Sequence, residues 1–291
     1  PNFAEARLIR SEHESLLQVR RFRCRARSEG NVVSGAQLFR RIAERLSRGK
    51  VLKRRLPRGF GAGEIYVSPE CGLKFWRWDL GATDPWLLGM VWELVNPGEV
   101  VWDIGANLGL FSFAAAYRAG PRGKVLALEP DTWLVDLLRR SARLAATGQA
   151  DVEILPVAAS DVVGPARFNI AQRARAANYL DGEGTDQAGG RRETQTVLAV
   201  NCDWLLEHYP APQVLKIDVE GAEAKVLAGS IKLLTRADRP KVLCEVCPQN
   251  SASVVRLLHE CGYVLYDAAV PAGSRPPVSQ ASWNTLALPR S

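Results

Sequence analysis

At 291 residues and 47% hydrophobic content the chain is long enough for one large α/β core plus an appendage. It holds no apolar run of the roughly 18 residues that a membrane span needs. The net charge of +7 is unevenly placed: residues 1–60 hold 16 Lys and Arg against 5 Asp and Glu, and the remainder holds 22 against 26. Basicity therefore belongs to the first part, and the rest is mildly acidic, a poor match to nucleic-acid phosphates. The first residues, Pro1-Asn2-Phe3-Ala4-Glu5, lack the basic-then-apolar pattern of a secretory leader, and they begin without Met, as a trimmed or internal start would. Six scattered cysteines, most in apolar contexts, point to a reduced, cytoplasmic protein.

In chain order, residues 1–34 carry the run Arg20-Arg21-Phe22-Arg23-Cys24-Arg25-Ala26-Arg27. It is read as a solvated lead, since aromatic interleaving is sparse; a patch for nucleic acid, an anionic carrier or a membrane surface is the alternative. Over 35–50, Leu38, Ile42 and Leu46 recur every four residues, which predicts a short amphipathic helix packed on the body. Residues 64–67 and 73–78, joined through Pro69-Glu70-Cys71-Gly72, read as a hairpin. Asp84-Pro85 is a helix cap and first turn for a helix to Val95, stopped by Asn96-Pro97-Gly98. Trp76, Trp78, Trp86 and Trp92 cluster here and are expected in the core, with one or two as a pocket wall in the alternative. The domains are then a basic arm and helix over 1–60, a hairpin and helix appendage over 61–98, and a Rossmann-like domain over 99–291.

The chain is organised around the stretch from Val100 to Ser112. An apolar run ends in Asp103, and Gly105-Ala106-Asn107-Leu108-Gly109 turns into an apolar helix. Such a strand–glycine loop–helix lets backbone N–H groups approach a nucleotide-like ligand. The spacing is G-x-N-x-G, not the G-x-G-x-x-G of dinucleotide enzymes. A second strand over 124–128 ends in Glu129-Pro130, placed to take ribose hydroxyls. A helix from Asp131 to about Ala146 follows, and then a strand over 152–159 closed by Ser160-Asp161. Residues 166–170 and 193–200 read as an antiparallel pair, separated by a long polar, glycine-rich segment, 171–190, of the kind that forms a lid, a binding loop or disorder. A helix from Asp203, a strand over 214–219, a helix over 224–234, a strand over 241–246, a helix over 253–261 and strands over 263–266 and 284–288 complete the order. This alternation predicts a doubly wound sheet, mostly parallel, with one antiparallel strand at the end. Ligands of such sheets sit at the carboxyl ends of the strands, where Asp103, Glu129, Asp161, Asp218 and Glu245 all fall.

Asp103-Ile-Gly-Ala-Asn-Leu-Gly109, Leu128-Glu129-Pro130, Ala158-Ala159-Ser160-Asp161 and Lys216-Ile-Asp-Val-Glu-Gly-Ala-Glu223 resemble the FkbM family of S-adenosylmethionine-dependent methyltransferases. Glu245 and Gly262-Tyr263 match its pattern as well, so the resemblance covers roughly residues 60–290. It implies a class I methyltransferase sheet, S-adenosyl-L-methionine as cofactor, and O-methylation of a small-molecule or carbohydrate acceptor. By the same resemblance Asp103, Gly105, Ala106, Asn107 and Gly109 line the methionine and ribose part of the cofactor. Glu129, with Pro130, takes the ribose hydroxyls, and Ser160 and Asp161 meet the adenine edge.

Methyl transfer from a sulfonium asks for alignment and for removal of a hydroxyl proton. His13 lies in the arm, and His208 and His259 fall on the far side of the sheet, which leaves carboxylates. Asp218 is the expected base, with Glu220 second and Glu245 third. Lys216 shares a strand face with Asp218 and would pair with it or orient the acceptor. Glu220 and Glu223 read alternatively as charges at the next helix N-terminus, the better reading for Glu223. No His/Cys cluster has ligand spacing, so no metal is expected, although Asp218 with Glu245 leaves that option open. Cys244-x-x-Cys247 has the look of a redox or metal pair, but residues three apart on a strand face opposite sides, so a redox role is the lesser reading. An NAD(P)-dependent oxidoreductase and a nucleic-acid-binding module using the arm are the competing functions; the loop spacing argues against the first and the acid-rimmed body against the second. The acceptor's identity and the oligomeric state are not encoded in any recognisable signature.

Overall fold

The computed structural model describes residues 35–144 and 147–290. The basic run Arg20–Arg27, Cys24 and His13 lie outside the described residues. Contacts divide the chain into Pro1–Arg40 and a compact unit Arg41–Ser291, and the second contains all the sheets. No helix among the described residues is long and apolar enough to cross a membrane.

The expected amphipathic helix spans Gly35–Leu46. Its Ile42 and Leu46 are 49% and 66% exposed, so these two members of the expected apolar stripe are not buried as anticipated. The expected hairpin is replaced by another. Strand β1 (Leu52–Arg55) pairs antiparallel with β2 (Glu64–Val67), joining residues assigned to the arm and to the appendage in one small sheet. Residues 73–78 form no strand: Pro69–Cys71 and Leu73–Trp76 are single 3-10 turns, the first capped by Ser68, whose hydroxyl accepts from the Glu70 N–H. β1 escapes a pattern search because charged side chains fill it. Lys53 and Arg55 pair with Glu64, while Arg54 is buried and donates to the Arg77 carbonyl. Asp84 and Pro85 do open a helix, Pro85–Leu94, with the Asp84 carboxylate accepting from the Leu87 N–H.

The tryptophans are not the expected core. Trp78 is 83% exposed under the Arg54 guanidinium, and Trp92 lies half-exposed under Arg118. Trp76 donates to the Ser47 hydroxyl, and only Trp86 packs on the core, donating to the Ala268 carbonyl. Cation–π stacking, not burial, accounts for two of the four.

The main sheet is built from β3 (Val100–Ile104), β4 (Lys124–Leu128), β5 (Asp151–Leu155) and, after a second sheet, β10 (Val214–Ile217), β11 (Lys241–Glu245), β12 (Tyr263–Asp267) and β13 (Asn284–Pro289). Its order is β5-β4-β3-β10-β11-β13-β12, parallel except for β13, which runs antiparallel to both of its neighbours. The expected doubly wound sheet with one antiparallel strand is therefore present. Apolar clusters cover both faces, one around Phe111, Leu137 and Val214, the other around Trp102, Ile217 and Tyr263. Burial on both sides explains why β3 and β10 read as continuous apolar runs. The order reverses between β3 and β10, and the crevice of such a sheet opens at that point.

The strand expected over 152–159 divides at Pro156. β5 stays in the main sheet, and β6 (Ala158–Ala159) joins β7 (Gly164–Ala171), β8 (Tyr179–Leu180) and β9 (Arg191–Val200) in a four-stranded sheet of order β6-β9-β7-β8. Proline donates no ladder hydrogen bond, so the chain changes sheets there. β7 and β9 are the antiparallel pair seen in the sequence. Between them 171–190 is folded: 3-10 turns at Arg175–Ala177 and Asp186–Ala188 flank β8, which pairs with Phe168 and Asn169 of β7. The helix expected over 224–234 is two short ones, Glu223–Ala228 and Ile231–Leu234.

Candidate active site

A cleft lies at the reversal point, between the residues that follow β3, β4 and β10. Its floor is the glycine loop. Gly105 has φ +78°, and a side chain there would meet the Asp218 carbonyl oxygen at 1.9 Å, so only glycine lets the two strand ends come this close. The Gly105 and Ala106 N–H groups donate to the Leu128 carbonyl at 3.0 and 2.9 Å, which ties the loop to β4. Gly109, at φ +81°, starts the helix Leu110–Ala119 against the Phe113 and Leu138 side chains.

Glu129 is buried at one side of the cleft. Its Oε2 accepts from the Asn107 N–H and its Oε1 from the Asp131 N–H, both at 2.9 Å. Burial pushes its carboxyl up to about 8, the Asp131 and Asp103 charges add to this, and the two N–H groups pull the other way. Each oxygen keeps a lone pair for a ligand donor. Asn107 also lines the cleft, with a buried Oδ1 that has no partner. Pro130, Val157, Ala158, Ala159, Phe168 and Leu180 make an apolar wall beside this pair.

Asp103 is fully buried and does not line the cleft. Its Oδ2 accepts from the Ser112 hydroxyl at 2.5 Å and its Oδ1 from Lys216 Nζ at 3.0 Å. The same ammonium reaches the Gly105 carbonyl and Asp218 Oδ2, each at 3.4 Å. Burial alone would lower the Lys216 pKa, but the Asp103 and Asp218 charges outweigh it and hold the ammonium protonated. Lys216 thus links the floor of the cleft to its acidic side.

That side is formed by Asp218 and Glu220, both lining the cleft, with Glu245 behind them; carboxylate oxygens of the three lie within 4.8 Å of one another. Glu220 has φ +52°, its carboxylate lies within 4.8 Å of that of Asp218, and among the described residues its Oε2 has no partner. Burial first, then the Asp218 charge, pushes Glu220 up to about 9 and Glu245 up to about 8, with Lys216 opposing the second shift. Such an oxygen set also suits a hard divalent cation. A search for His and Cys spacing passes over it, because the signal is an Asp-Val-Glu turn with a carboxylate from the next strand. Glu223 is structural: buried, it accepts from the Gly221 N–H and from Asn250 Nδ2.

The cleft therefore gathers Gly105, Asn107, Glu129, Pro130, Asp218 and Glu220 from the expected set. Ala106, Gly109, Lys216 and Asp103 lie in or beneath the loop. Ser160 and Asp161, expected at an adenine edge, are not in the lining; the Ser160 hydroxyl pairs with Asp161, which is exposed. His208 and His259 are exposed and do not line it. Cys244 and Cys247 are buried free thiols, pushed up chiefly by burial. Sequence reasoning missed Phe168, Arg175, Asn178 and Leu180, which reach the cleft from the 164–200 insertion.

Comparison with known proteins adds a family. Residues 103–265 match the methyltransferase FkbM domain. The chain is 25% identical over 154 residues to the hexuronic acid methyltransferase AglP of Haloferax volcanii, a match covering 51% of this chain and 56% of that protein. The chain thus spans about half the length of that relative. Among solved structures it is similar to a precorrin-6y C5,15-methyltransferase from Geobacter metallireducens, with TM-score 0.39, 13% identity and coverage of 71% of this chain and 84% of that one. It is also similar to a SAM-dependent O-methyltransferase from Thermotoga maritima, with TM-score 0.38, 15% identity and coverage of 69% and 62%.

Proposed function

This chain belongs to the FkbM family of S-adenosylmethionine-dependent methyltransferases, and on that premise we propose that it methylates a hydroxyl of a small-molecule or sugar acceptor with Asp218 as base. The observation that carries the reading is the pairing, across one cleft, of a carboxylate anchored by two backbone N–H groups with a carboxylate held by an ammonium. The residues fit the cofactor. Glu129 offers two acceptor lone pairs to a ribose diol, Asn107 Oδ1 offers an unpartnered buried acceptor, and the apolar wall suits a flat ring. When bound, S-adenosylmethionine supplies an electrophilic methyl group on a sulfonium.

The protein's own work is then alignment and proton removal. Asp218 accepts the acceptor's hydroxyl proton, with Lys216 fixing its carboxylate and stabilising its charge. Glu220, raised to about 9, is protonated at neutral pH and so is the weaker candidate; Glu245 stands behind the cleft. A sugar-type acceptor draws support from the relative named as a hexuronic acid methyltransferase. The division into a 1–60 arm, a 61–98 appendage and a 99–291 methyltransferase domain belongs to the same reading, with β1 and β2 bridging the first two.

Calorimetric titration tests it. S-adenosylhomocysteine binds at micromolar concentration and NAD does not, after which transfer of labelled methyl to a panel of hydroxylated acceptors identifies the substrate. Absence of binding, or equal binding of NAD, overturns the proposal.

A further inference from the structure

Arg175 sits in the 171–190 segment, far in sequence from every motif of the cleft, yet it lines the cleft. Its side chain is 14% exposed and its Nε donates to Glu70 Oε1 at 2.9 Å. Its Nη1 donates to Asp131 Oδ2, and its guanidinium lies 4.7 Å from the Trp133 ring centroid. Asn178 Nδ2 shares that Asp131 oxygen at 2.9 Å, and Arg192 shares the Glu70 oxygen at 2.9 Å. Burial works against the charged forms here. The Gly49 N–H, Arg192 and Arg175 nonetheless hold Glu70 below the usual carboxylate range, and Asp131 and Glu70 hold Arg175 protonated.

Asp131 is the residue whose N–H donates to Glu129 Oε1, while its Oδ1 accepts from the Trp133 N–H. Arg175 therefore grips the side chain of the same residue whose backbone N–H orients Glu129. The other end of the segment is fastened across the cleft. Lys225 pairs with Glu183 at 2.7 Å, and the Gly184 backbone lies so close to Gly221 that a side chain at Gly221 would meet the Gly184 nitrogen at 2.7 Å. The segment thus spans from the Glu129 side to the loop that carries Asp218 and Glu220.

We infer that Arg175 is a positioning residue: it latches 171–190 closed over the nucleoside end of the cleft and, through Asp131, holds Glu129 in place for the cofactor ribose. The inference rests on the cofactor reading above. The test compares S-adenosylhomocysteine affinity, the unfolding midpoint of the free protein, and amide hydrogen exchange of 171–190 in wild type, Arg175→Gln, Arg175→Lys and Arg192→Gln. Arg192 shares Glu70 but, among the described residues, is not hydrogen-bonded to Asp131 and is not one of the residues lining the cleft. The expected result is a roughly 10-fold weaker affinity and faster exchange in Arg175→Gln, about a third of that loss in Arg175→Lys, and less than about a 2-fold change in Arg192→Gln at a comparable drop in midpoint. Equal affinity in wild type and Arg175→Gln overturns the latch, as does an affinity loss in Arg192→Gln that matches Arg175→Gln. Failure of the wild-type protein to bind overturns the cofactor reading instead, so the two failures are distinguishable.

Discussion

The two sides of the cleft each present carboxylates, buried in Glu129 and partly exposed in the other group, but they hold them differently. Glu129 is fixed by two N–H groups of the main chain, and among the described residues no cationic side chain is bonded to it. Asp218, Glu220 and Glu245 crowd together with the Lys216 ammonium beside Asp218, and among the described residues Glu220 Oε2 has no partner. Backbone donors fix an acceptor in direction, which suits recognition of a diol. A crowded, under-paired cluster raises proton affinity, which suits proton handling. On the proposed reading, binding and chemistry therefore fall on opposite sides of the cleft.

The largest expected effect tests the chemical side. Asp218→Asn lowers turnover by about 10³-fold while S-adenosylhomocysteine affinity changes by less than about 3-fold. An affinity loss as large as the rate loss would move Asp218 to the binding side and break the contrast. Next is the link between the sides. Lys216→Met leaves Asp103 buried with no countercharge and costs about 3–5 kcal/mol in urea unfolding, most of which is recovered when Asp103→Leu is added.

On the binding side, Glu129→Ala weakens S-adenosylhomocysteine by about 10–100-fold by calorimetry, through the loss of its hydrogen bonds to the ribose hydroxyls, with turnover at saturating cofactor reduced far less. A smaller effect follows from proton linkage. Glu129, Glu220 and Glu245 hold protons more tightly folded than unfolded, so the stability they bring is full below about pH 4.5 and is lost as pH rises through about 8 to 9. The melting temperature of the free protein therefore falls between about pH 5 and 9, and Glu220→Gln flattens that fall. The smallest concerns the cluster's capacity for a cation: because Lys216 already supplies a positive charge to Asp218, a chelator changes turnover by less than about 2-fold. A larger loss would make the acidic side a metal centre.

Much of this was legible in the residues because it is written locally. Gly105 and Gly109 punctuate a buried apolar run, Glu129 follows the next run, and Lys216 and Asp218 share one strand, so the floor and both sides of the cleft could be named from adjacent positions. What escaped is written across distance or in charge. Arg175 lies in a polar, glycine-rich stretch with no periodicity, and its partners Glu70 and Asp131 are 105 and 44 residues away. β1 is a strand whose buried member is an arginine, and two tryptophans are covered by guanidinium faces where a hydropathy pattern expects a core. The break at Pro156 was visible as a residue, but its consequence, a strand that leaves one sheet to begin another, depends on β9 arriving from forty residues downstream.

The contact between position 105 and the carbonyl of residue 218 bears on any attempt to re-engineer the enzyme. Because that oxygen occupies the space a methyl group would need, the two loops are complementary halves of a single backbone joint. A graft that transplants the turn carrying Asp218 and Glu220 into another scaffold must bring Gly105 along, or the recipient will be forced apart at that seam.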